Sequence, residues 1–274
     1  MDIRVRPGGS LDGNGAITGA SVSADPDVIS IDISAAAFVD PFGLVTLAAV
    51  TEEATRSGLG VNVSWPRGTD LRRYLARMHV ADALGSLGVT CQLPEVNENP
   101  SGDRFLELTR FEGSDRGSEL AEKVYNILSV DDLDDAKTLY SCVSEAIDNV
   151  TEHSEVGGGW AALQQYRREG RNEVVFAVAD SGVGLRRTLS RHHSVNDDAQ
   201  AVRLAAQFGI SGTGDQARGR GIAGIAEKAR ERGGYMRLWS GRAEGLTGAP
   251  KGFLRVKRAV TYPGTVLSAT LSYN

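Results

Sequence analysis

The chain lacks the features that mark secreted, disulfide-stabilised and membrane-spanning proteins. Only two cysteines occur among 274 residues, and they form no CxxC pair, so we expect Cys91 and Cys142 to be reduced thiols in or near a core. No apolar run approaches the ~20 residues that cross a bilayer, and residues 1–9 contain no apolar stretch of the signal-peptide type. We therefore expect a cytoplasmic protein that does not bind membranes.

A large charge of one sign is also missing. The 30 Lys and Arg residues against 35 Asp and Glu give a formal net charge of −5, which supplies no global electrostatic reason to bind nucleic acid. We expect no direct nucleic-acid partner. The composition, 41% hydrophobic and 24% charged, is that of an ordinary globular protein, and the length allows one large domain or two modest ones.

Residues 1–95 predict a small α/β domain in which strands and helices alternate. Asp40 and Pro41 form a typical helix entry, with Asp as the N-cap and Pro at the first helical position. The polar stretch 96–103, rich in Asn, Pro, Ser and Gly, predicts a linker. The predicted elements of this domain are strands at 28–33 and 61–65 and helices at 44–57, 70–78 and 81–87.

Residues 104–274 predict a second α/β domain. A turn at 169–172 joins two apolar strand patterns into a hairpin, and the polar, glycine-dotted stretch 185–218 predicts a long connection of the kind that often forms a lid. The predicted strands are 105–109, 160–167, 173–179, 235–239, 252–258 and 264–272, with a loop between 240 and 250. The predicted helices include 118–128, 199–208 and 222–232. A further predicted helix follows the carboxylates of 131–135 and ends near residue 153.

Two segments of this second domain carry acids and an amide suited to a nucleotide and its metal. Glu145 and Asn149 are four residues apart on one helix, so they share a face. An amide oxygen is a hard, neutral ligand for Mg²⁺, and a nearby carboxylate can deprotonate an attacking water or hydroxyl. Asp180 ends an apolar strand beside Gly182 and Gly184, where it can accept a hydrogen bond from a base amino group. A solvated helix face and an ordinary strand-to-turn aspartate are the alternative interpretations.

A third segment, Gly219-Arg220-Gly221 after Arg218, opens another helix. Residues 219–224 fit GxGxxG, but no strand precedes them, no suitably placed acid follows, and the Gly-Lys-Ser/Thr ending of a P-loop is missing. We interpret the segment as a glycine turn whose N–H groups and helix N-terminus hold phosphate. A glycine-rich helix start without a ligand is the alternative.

In this order the motifs resemble those of the GHKL family of ATP-binding domains, which gyrase B, MutL, histidine kinases and anti-sigma-factor serine kinases share. The matching segments are Glu145-x-x-x-Asn149 (N-box), Asp180-x-Gly182-x-Gly184 and Gly219-x-Gly221-Ile222 (glycine boxes), Gly264-Thr265 (closing Gly-Thr) and 185–218 (ATP lid). The resemblance covers about residues 104–274. It implies a two-layer α/β sandwich of Bergerat type with a mixed, mostly antiparallel sheet.

The same resemblance implies that ATP and Mg²⁺ are the cofactors. Asn149 would bind Mg²⁺, Asp180 would bind the adenine amino group, and Glu145 would act as the catalytic base. Thr265 would support the adenine pocket. The remaining nucleotide contacts are assigned to Gly182, Gly184, Gly219 and Gly221, with Arg218 and Arg220 as candidates for phosphate binding.

The first 95 residues resemble a STAS domain, the fold of anti-sigma antagonists, through the strand, turn and helix entry at 28–44. Where a phosphorylatable antagonist has Ser after the Asp, this chain has Pro41 and Phe42. We therefore expect that the STAS-like domain is not the substrate of its own chain at that site. It could still provide a docking or dimerisation surface.

Three functions stay open at this point. Because histidine kinases usually carry Asn where Glu145 stands, the N-box favours a protein serine/threonine kinase of anti-sigma type, acting in trans on a STAS-type antagonist or a sigma-like regulator. A nucleotide-gated protein-binding module, in which ATP orders the lid without phosphoryl transfer, is the second. The third is a slow ATPase, which the lack of a transducer domain disfavours. The resemblance also implies a homodimer, because anti-sigma kinases of this type commonly dimerise.

Overall fold

The computed structural model describes residues 3–4, 10–11, 27–97, 105–128, 133–168, 170–207, 221–247 and 254–273. Within these ranges the chain is mixed α/β, with eight helices, one five-stranded sheet and smaller groups of parallel strands, so the predicted α/β class is confirmed. Most of the predicted linker 96–103 lies outside the described residues, as do Arg218, Gly219 and Arg220. The predicted division into domains 1–95 and 104–274 stays a prediction.

The first part of the chain forms short parallel strands around one long helix. These strands are β1 (Ile3–Arg4), β2 (Ser10–Leu11), β3 (Val28–Asp32), β4 (Phe38–Val39) and β5 (Gly60–Ser64), paired as β1-β3-β5 and as β2-β4. The helix α1 (Pro41–Arg56) begins as predicted, because the Asp40 side chain accepts a 3.0 Å hydrogen bond from the N–H of Gly43. The helices α2 (Thr69–Arg77) and α3 (Val80–Ser86) follow, close to their predicted bounds.

The five-stranded sheet has the order β6-β7-β8-β10-β9, and every neighbouring pair is antiparallel. The prediction of a mixed sheet was therefore wrong. Its strands are β6 (Phe105–Glu112), β7 (Gly158–Arg168), β8 (Arg171–Asp180), β9 (Tyr235–Leu246) and β10 (Arg255–Tyr273). The predicted hairpin joins β7 to β8, with Gly170 at a φ of +81°.

The last two strands are longer than the sequence predicted. The strands expected at 252–258 and 264–272 are one strand, β10, and the loop expected at 240–250 is strand as far as Leu246. The two predicted strands join into one because β10 contains a bulge. Its register against β9 shifts between Arg258 and Tyr262 and again before Thr265. A bulge accommodates the Pro263-Gly264 pair, which read locally as a strand break.

Helices cover one face of this sheet. They are α4 (Gly113–Leu128), α5 (Leu133–His153), α6 (Gly184–Leu189), α7 (Asp198–Ala205) and α8 (Gly221–Glu231). The helical spacing of Ala136, Val143 and Val150 predicts an apolar stripe on α5, and all three side chains are buried here. Helix α6 was not predicted, and α7 is shorter than the predicted helix 199–208. Among the described residues, no helix has the length and apolar character needed to span a membrane.

Helix α1 covers the opposite face of the same sheet. Side chains alternate along each strand, so Leu163 and Phe176 join the cluster under α5 and α8, whereas Ala162 and Ala177 join the cluster under α1. Every residue of α1 from Pro41 to Thr51 is buried, because the helix also packs on β5 and shares a buried cluster with β3. Residues 105–273 thus form a sheet with helices on one face, and α1, from the first part of the chain, adds a further layer between the two sheets.

Candidate functional site

Three of the predicted site residues meet where α8 begins. Glu145 and Asn149 lie on one face of α5, and Gly221, the first residue of α8, packs against both side chains. A Cβ placed on Gly221 would lie 2.8 Å from Glu145 Oε1 and 3.6 Å from Asn149 Nδ2. Glycine is therefore the residue that lets the N-terminus of α8 approach the carboxylate and the amide this closely.

The Asn149 side chain is held by Glu145. Its Nδ2 donates to the backbone oxygen of Glu145 at 2.6 Å and to Glu145 Oε1 at 3.4 Å. Because the amide nitrogen is engaged in this way, the amide oxygen Oδ1 is the atom left to meet a cation or another donor. An amide oxygen in this position fits the hard-ligand preference of Mg²⁺.

The carboxyl group of Glu145 has a raised pKa. Partial burial is the main cause, and the negative charges of Asp148 and Glu152 on the same helix act in the same direction. The hydrogen bond from Asn149 and the positive charge of Lys228 on α8 oppose the shift. A raised pKa brings this carboxyl closer to the range in which a group can take up a proton during a reaction near neutral pH.

Asp180, the last residue of β8, forms a second group with the predicted turn residues. Its Oδ1 accepts a 2.8 Å hydrogen bond from the N–H of Gly182, and the backbone of Thr265, its direct partner on β10, also hydrogen-bonds to it. The carboxyl group is buried, and burial raises its pKa to about 7. The two backbone hydrogen bonds and Arg56 oppose this rise, while the negative charge of Glu52 adds to it.

The glycines around Asp180 are required by close backbone approach. A Cβ on Gly182 would lie 1.9 Å from the carbonyl oxygen of Ser154, and one on Gly264 would lie 2.2 Å from the carbonyl oxygen of Asp180. Gly184 has a φ of +72°, and a Cβ there would lie 2.8 Å from the Oγ of Ser240. No other residue type fits these positions without moving the backbone or a buried hydroxyl.

The turn at Asp180 lies beside the C-terminal end of α5. The N–H of Val183 donates to the carbonyl oxygen of Ser154 at 3.1 Å, and Ser154 directly follows the last residue of the helix, His153. Asn149 lies about one helical turn before His153, or roughly 6 Å along the axis. The two groups of predicted residues therefore lie along the C-terminal half of α5, with Asn149 nearer to the Asp180 turn than Glu145.

Four residues near Asp180 were not predicted from the sequence. The hydroxyl of Tyr262 donates to the Asp180 carbonyl oxygen at 2.9 Å, and Ser240 Oγ accepts from Leu185 N–H and lies within hydrogen-bonding distance of Thr265 Oγ1. Glu52 and Arg56, both on α1, hydrogen-bond to Ser181. The sequence contains no local signal for these contacts, because each joins segments that are far apart in the chain.

Of the predicted lid, residues 185–207 are described, and they form part of α6, a turn and α7. The rest of the lid, which includes Arg218, lies outside the described residues, and so do Gly219 and Arg220. Within the described residues, no three His, Cys, Asp or Glu side chains are grouped as a metal site. No protein-family model, curated protein or solved structure matches this chain.

Proposed function

We propose that this chain binds ATP with Mg²⁺ and transfers the γ-phosphoryl group to a serine or threonine hydroxyl of a separate protein, as anti-sigma-factor kinases of the GHKL family do. The observation that carries the proposal is the meeting of Glu145, Asn149 and Gly221 at the N-terminus of α8. These residues come from two separate motifs that resemble the N-box and the second glycine box. This meeting supports the proposal, because in the proposed roles it would bring a base, a metal ligand and a phosphate-binding helix end to one place.

The proposed roles follow from the chemistry of each group. Asn149 Oδ1 would bind the Mg²⁺ that neutralises the phosphate oxygens. Glu145 would accept the proton of the attacking hydroxyl, which its raised pKa suits. The Asp180 carboxylate would accept a hydrogen bond from the adenine amino group, with Thr265 supporting the pocket from β10. The N–H groups at Gly221 would face phosphate.

The acceptor is proposed to be another protein because the equivalent site of the STAS-like part is inaccessible. Phe42 is one of the two residues that stand where a phosphorylatable antagonist has its Ser, and it has no exposed surface. Its ring stacks on Trp239 at a centroid distance of 6.3 Å, and the guanidinium of Arg237 lies 4.2 Å from its centroid. This corner faces the five-stranded sheet instead of solvent. A STAS-type antagonist or a sigma-like regulator in trans is the proposed partner.

A nucleotide-gated binding module is the second candidate function. The observation that favours it is the pair of contacts from α1 to Ser181, directly beside Asp180. These contacts link the STAS-like part to the turn at Asp180. A nucleotide bound at that turn would affect the STAS-like part through them, and phosphoryl transfer is not needed for this effect. In this alternative the bound nucleotide would change the affinity of the chain for a protein partner, and Glu145 would have no chemical role.

The fate of γ-labelled ATP in host lysate with Mg²⁺ tests the proposal and separates the candidates. Label on one polypeptide with the wild-type chain, absent with Glu145→Ala, would support the kinase and mark its substrate. Free labelled phosphate alone, lost in the same variant, would favour a slow ATPase. ATP binding without turnover would favour the nucleotide-gated module.

A direct ATP titration tests the adenine assignment separately. Replacement Asp180→Asn is expected to weaken binding by at least ~1 kcal/mol, the scale of a hydrogen bond that involves a charged group. Glu145→Ala is expected to leave the affinity largely unchanged. Equal affinity of wild type and Asp180→Asn would refute the adenine role.

A further inference from the structure

The C-terminal end of α1 contacts Ser181 at two atoms. Ser181 Oγ donates a 3.2 Å hydrogen bond to Glu52 Oε2, and the guanidinium of Arg56, one turn later on the helix, donates to the carbonyl oxygen of Ser181. Ser181 itself has only 1% of its surface exposed and lies between Asp180 and Gly182. Both its side chain and its backbone are therefore fixed by a helix that belongs to the STAS-like part.

Glu52 is held in this position by further donors. Its Oε2 also accepts from Trp160 Nε1 at 3.1 Å, and its Oε1 accepts from Arg110 Nε at 2.9 Å. The side chain is only 12% exposed. A carboxylate that is this buried is tolerated because donors from three segments satisfy it, and the same donors leave it little freedom to move. Glu52 is thus a fixed point against which Ser181 is positioned.

A second chain of contacts runs from the other end of α1 to Asp180 itself. Phe42 stacks on Trp239, whose ring centroid lies 4.9 Å from that of Tyr262, and the Tyr262 hydroxyl donates to the Asp180 carbonyl oxygen. All three rings are fully buried. The backbone of Asp180 and Ser181 is therefore held by α1 directly through polar groups and indirectly through packed aromatic rings.

We propose that Glu52 and Arg56 are positioning residues of the nucleotide site, which set the backbone of the turn from Asp180 to Gly184, so that α1 is a structural part of that site. The inference deepens the proposed function and rests on it for the identity of the ligand. It assigns the STAS-like part a role that neither a substrate nor a separate docking domain would have. In this role α1 supports the residues that are proposed to contact adenine.

Amide hydrogen exchange tests the positioning without any ligand. The variant Glu52→Ala is expected to speed exchange in peptides that cover Ser181 to Gly184 by tenfold or more, while β7 and β10 keep their protection. Glu112→Ala is the matched control, because Glu112 also pairs with Arg110 but has no contact with Ser181. Unchanged exchange at the turn in Glu52→Ala would overturn the inference.

A second pair of variants keeps the test valid if Glu52→Ala does not fold. Arg56 has a side chain that is 44% exposed, so Arg56→Ala removes its hydrogen bond to Ser181 with little loss of packing. Glu53→Ala is its control, since Glu53 pairs with Arg56 and does not contact Ser181. Faster exchange at the turn is expected in Arg56→Ala only, and equal exchange in both variants would contradict the inference.

ATP titrations then connect the positioning to the site. At pH 8.5, Glu52→Ala is expected to weaken ATP binding about tenfold, whereas Glu52→Gln, which retains an oxygen that accepts from Ser181 and Trp160, should stay within about threefold of wild type. Equal loss in both variants would overturn the role of this hydrogen bond. If the wild type itself does not bind ATP, the proposed function fails, and the exchange experiment still decides the positioning.

The pH dependence of ATP affinity gives a readout that a purely structural role would not change. The charged groups that face Asp180 are Glu52 and Arg56 from α1, and the neutral hydroxyl of Tyr262 faces its carbonyl from β10. Because Glu52 raises the pKa of Asp180, Glu52→Gln is expected to move the midpoint of the affinity profile to lower pH. An unchanged midpoint would contradict direct coupling between the two carboxyl groups.

Discussion

The hydroxyl of Tyr262 donates a 2.9 Å hydrogen bond to the backbone carbonyl oxygen of Asp180, across 82 residues of sequence. The donor comes from the bulged part of β10 and the acceptor from the last residue of β8. Both groups are buried, so the bond is shielded from water and fixes the end of one strand against the irregular part of its neighbour. The irregularity in β10 thus places a tyrosine where it supports the proposed adenine site.

The buried carboxyl of Asp180 predicts a pH-dependent stability. Its pKa is raised from 3.8 to about 7 in the folded chain, so its contribution to stability is fully present below pH 4 and is lost as the pH rises through 7. Relative to wild type, Asp180→Asn should therefore gain on the order of 2–3 kcal/mol of unfolding free energy between pH 5 and pH 8.5. Urea unfolding at both pH values measures this difference. The exposed Asp70 supplies the control, Asp70→Asn, and an equal gain there would refute the assignment.

Gly221 offers a test of the close approach between α8 and Glu145. In Gly221→Ala the new Cβ would lie 2.8 Å from Glu145 Oε1, the mobile end of a side chain. We expect the carboxylate to move, turnover to fall at least tenfold, and the unfolding free energy to change by less than about 1 kcal/mol. In the control Gly85→Ala the Cβ meets no atom within 4 Å, and turnover should be unaffected. Normal turnover in Gly221→Ala would show that the position of Glu145 does not limit the reaction.

The charges around Glu145 predict opposite shifts of its pKa. Asp148 and Glu152 raise it and Lys228 lowers it. The acidic limb of the pH–turnover profile should therefore move to lower pH in Asp148→Asn and to higher pH in Lys228→Met, because a general base must be ionised. Steady-state rates between pH 5 and pH 8 measure both shifts. If the acidic limb moved in the same direction in both variants, Glu145 would be excluded as the titrating group.

The buried corner at Phe42 predicts that restoring a hydroxyl does not create an acceptor. Phe42→Ser removes a fully buried ring that packs on Trp239, so we expect a loss of about 3 kcal/mol or more in unfolding free energy. With γ-labelled ATP, no label should appear on the new serine. Phe42→Leu, which keeps most of the apolar volume, should lose less stability. Stoichiometric labelling at residue 42 would show that this corner opens to the active site.

Local patterns predicted the elements that depend on local chemistry. The Asp40 cap with Pro41 marked the start of α1, and the apolar stripe on α5 is buried as its spacing indicated. The spacing of Glu145 and Asn149 predicted that they share a helix face, and their side chains are within hydrogen-bonding distance there. In each case the residues belong to one helix or its cap, where sequence position fixes which side chains share a face.

The sequence of α1 carries one further signal of its position in the fold. No charged residue occurs between Pro41 and Thr51, and a helix that is apolar on all sides is buried on all sides. This pattern predicts that α1 lies between two layers, which periodicity alone did not reveal. By contrast, the hydrogen bond from Ser181 to Glu52 joins residues 129 positions apart, and the bulge in β10 depends on its partner strand. No local pattern encodes either feature, because both follow from the assembled sheet.

The position of α1 between the two sheets also sets the order in which the chain can fold during synthesis. Residues 41–51 leave the ribosome early, yet β10, which α1 packs against, is made some two hundred residues later. At about 5–20 residues per second, this apolar helix stays without its final cover for roughly ten seconds or more. The burial of α1 is therefore completed only after the last strand is made, and during that interval part of its apolar surface needs another cover.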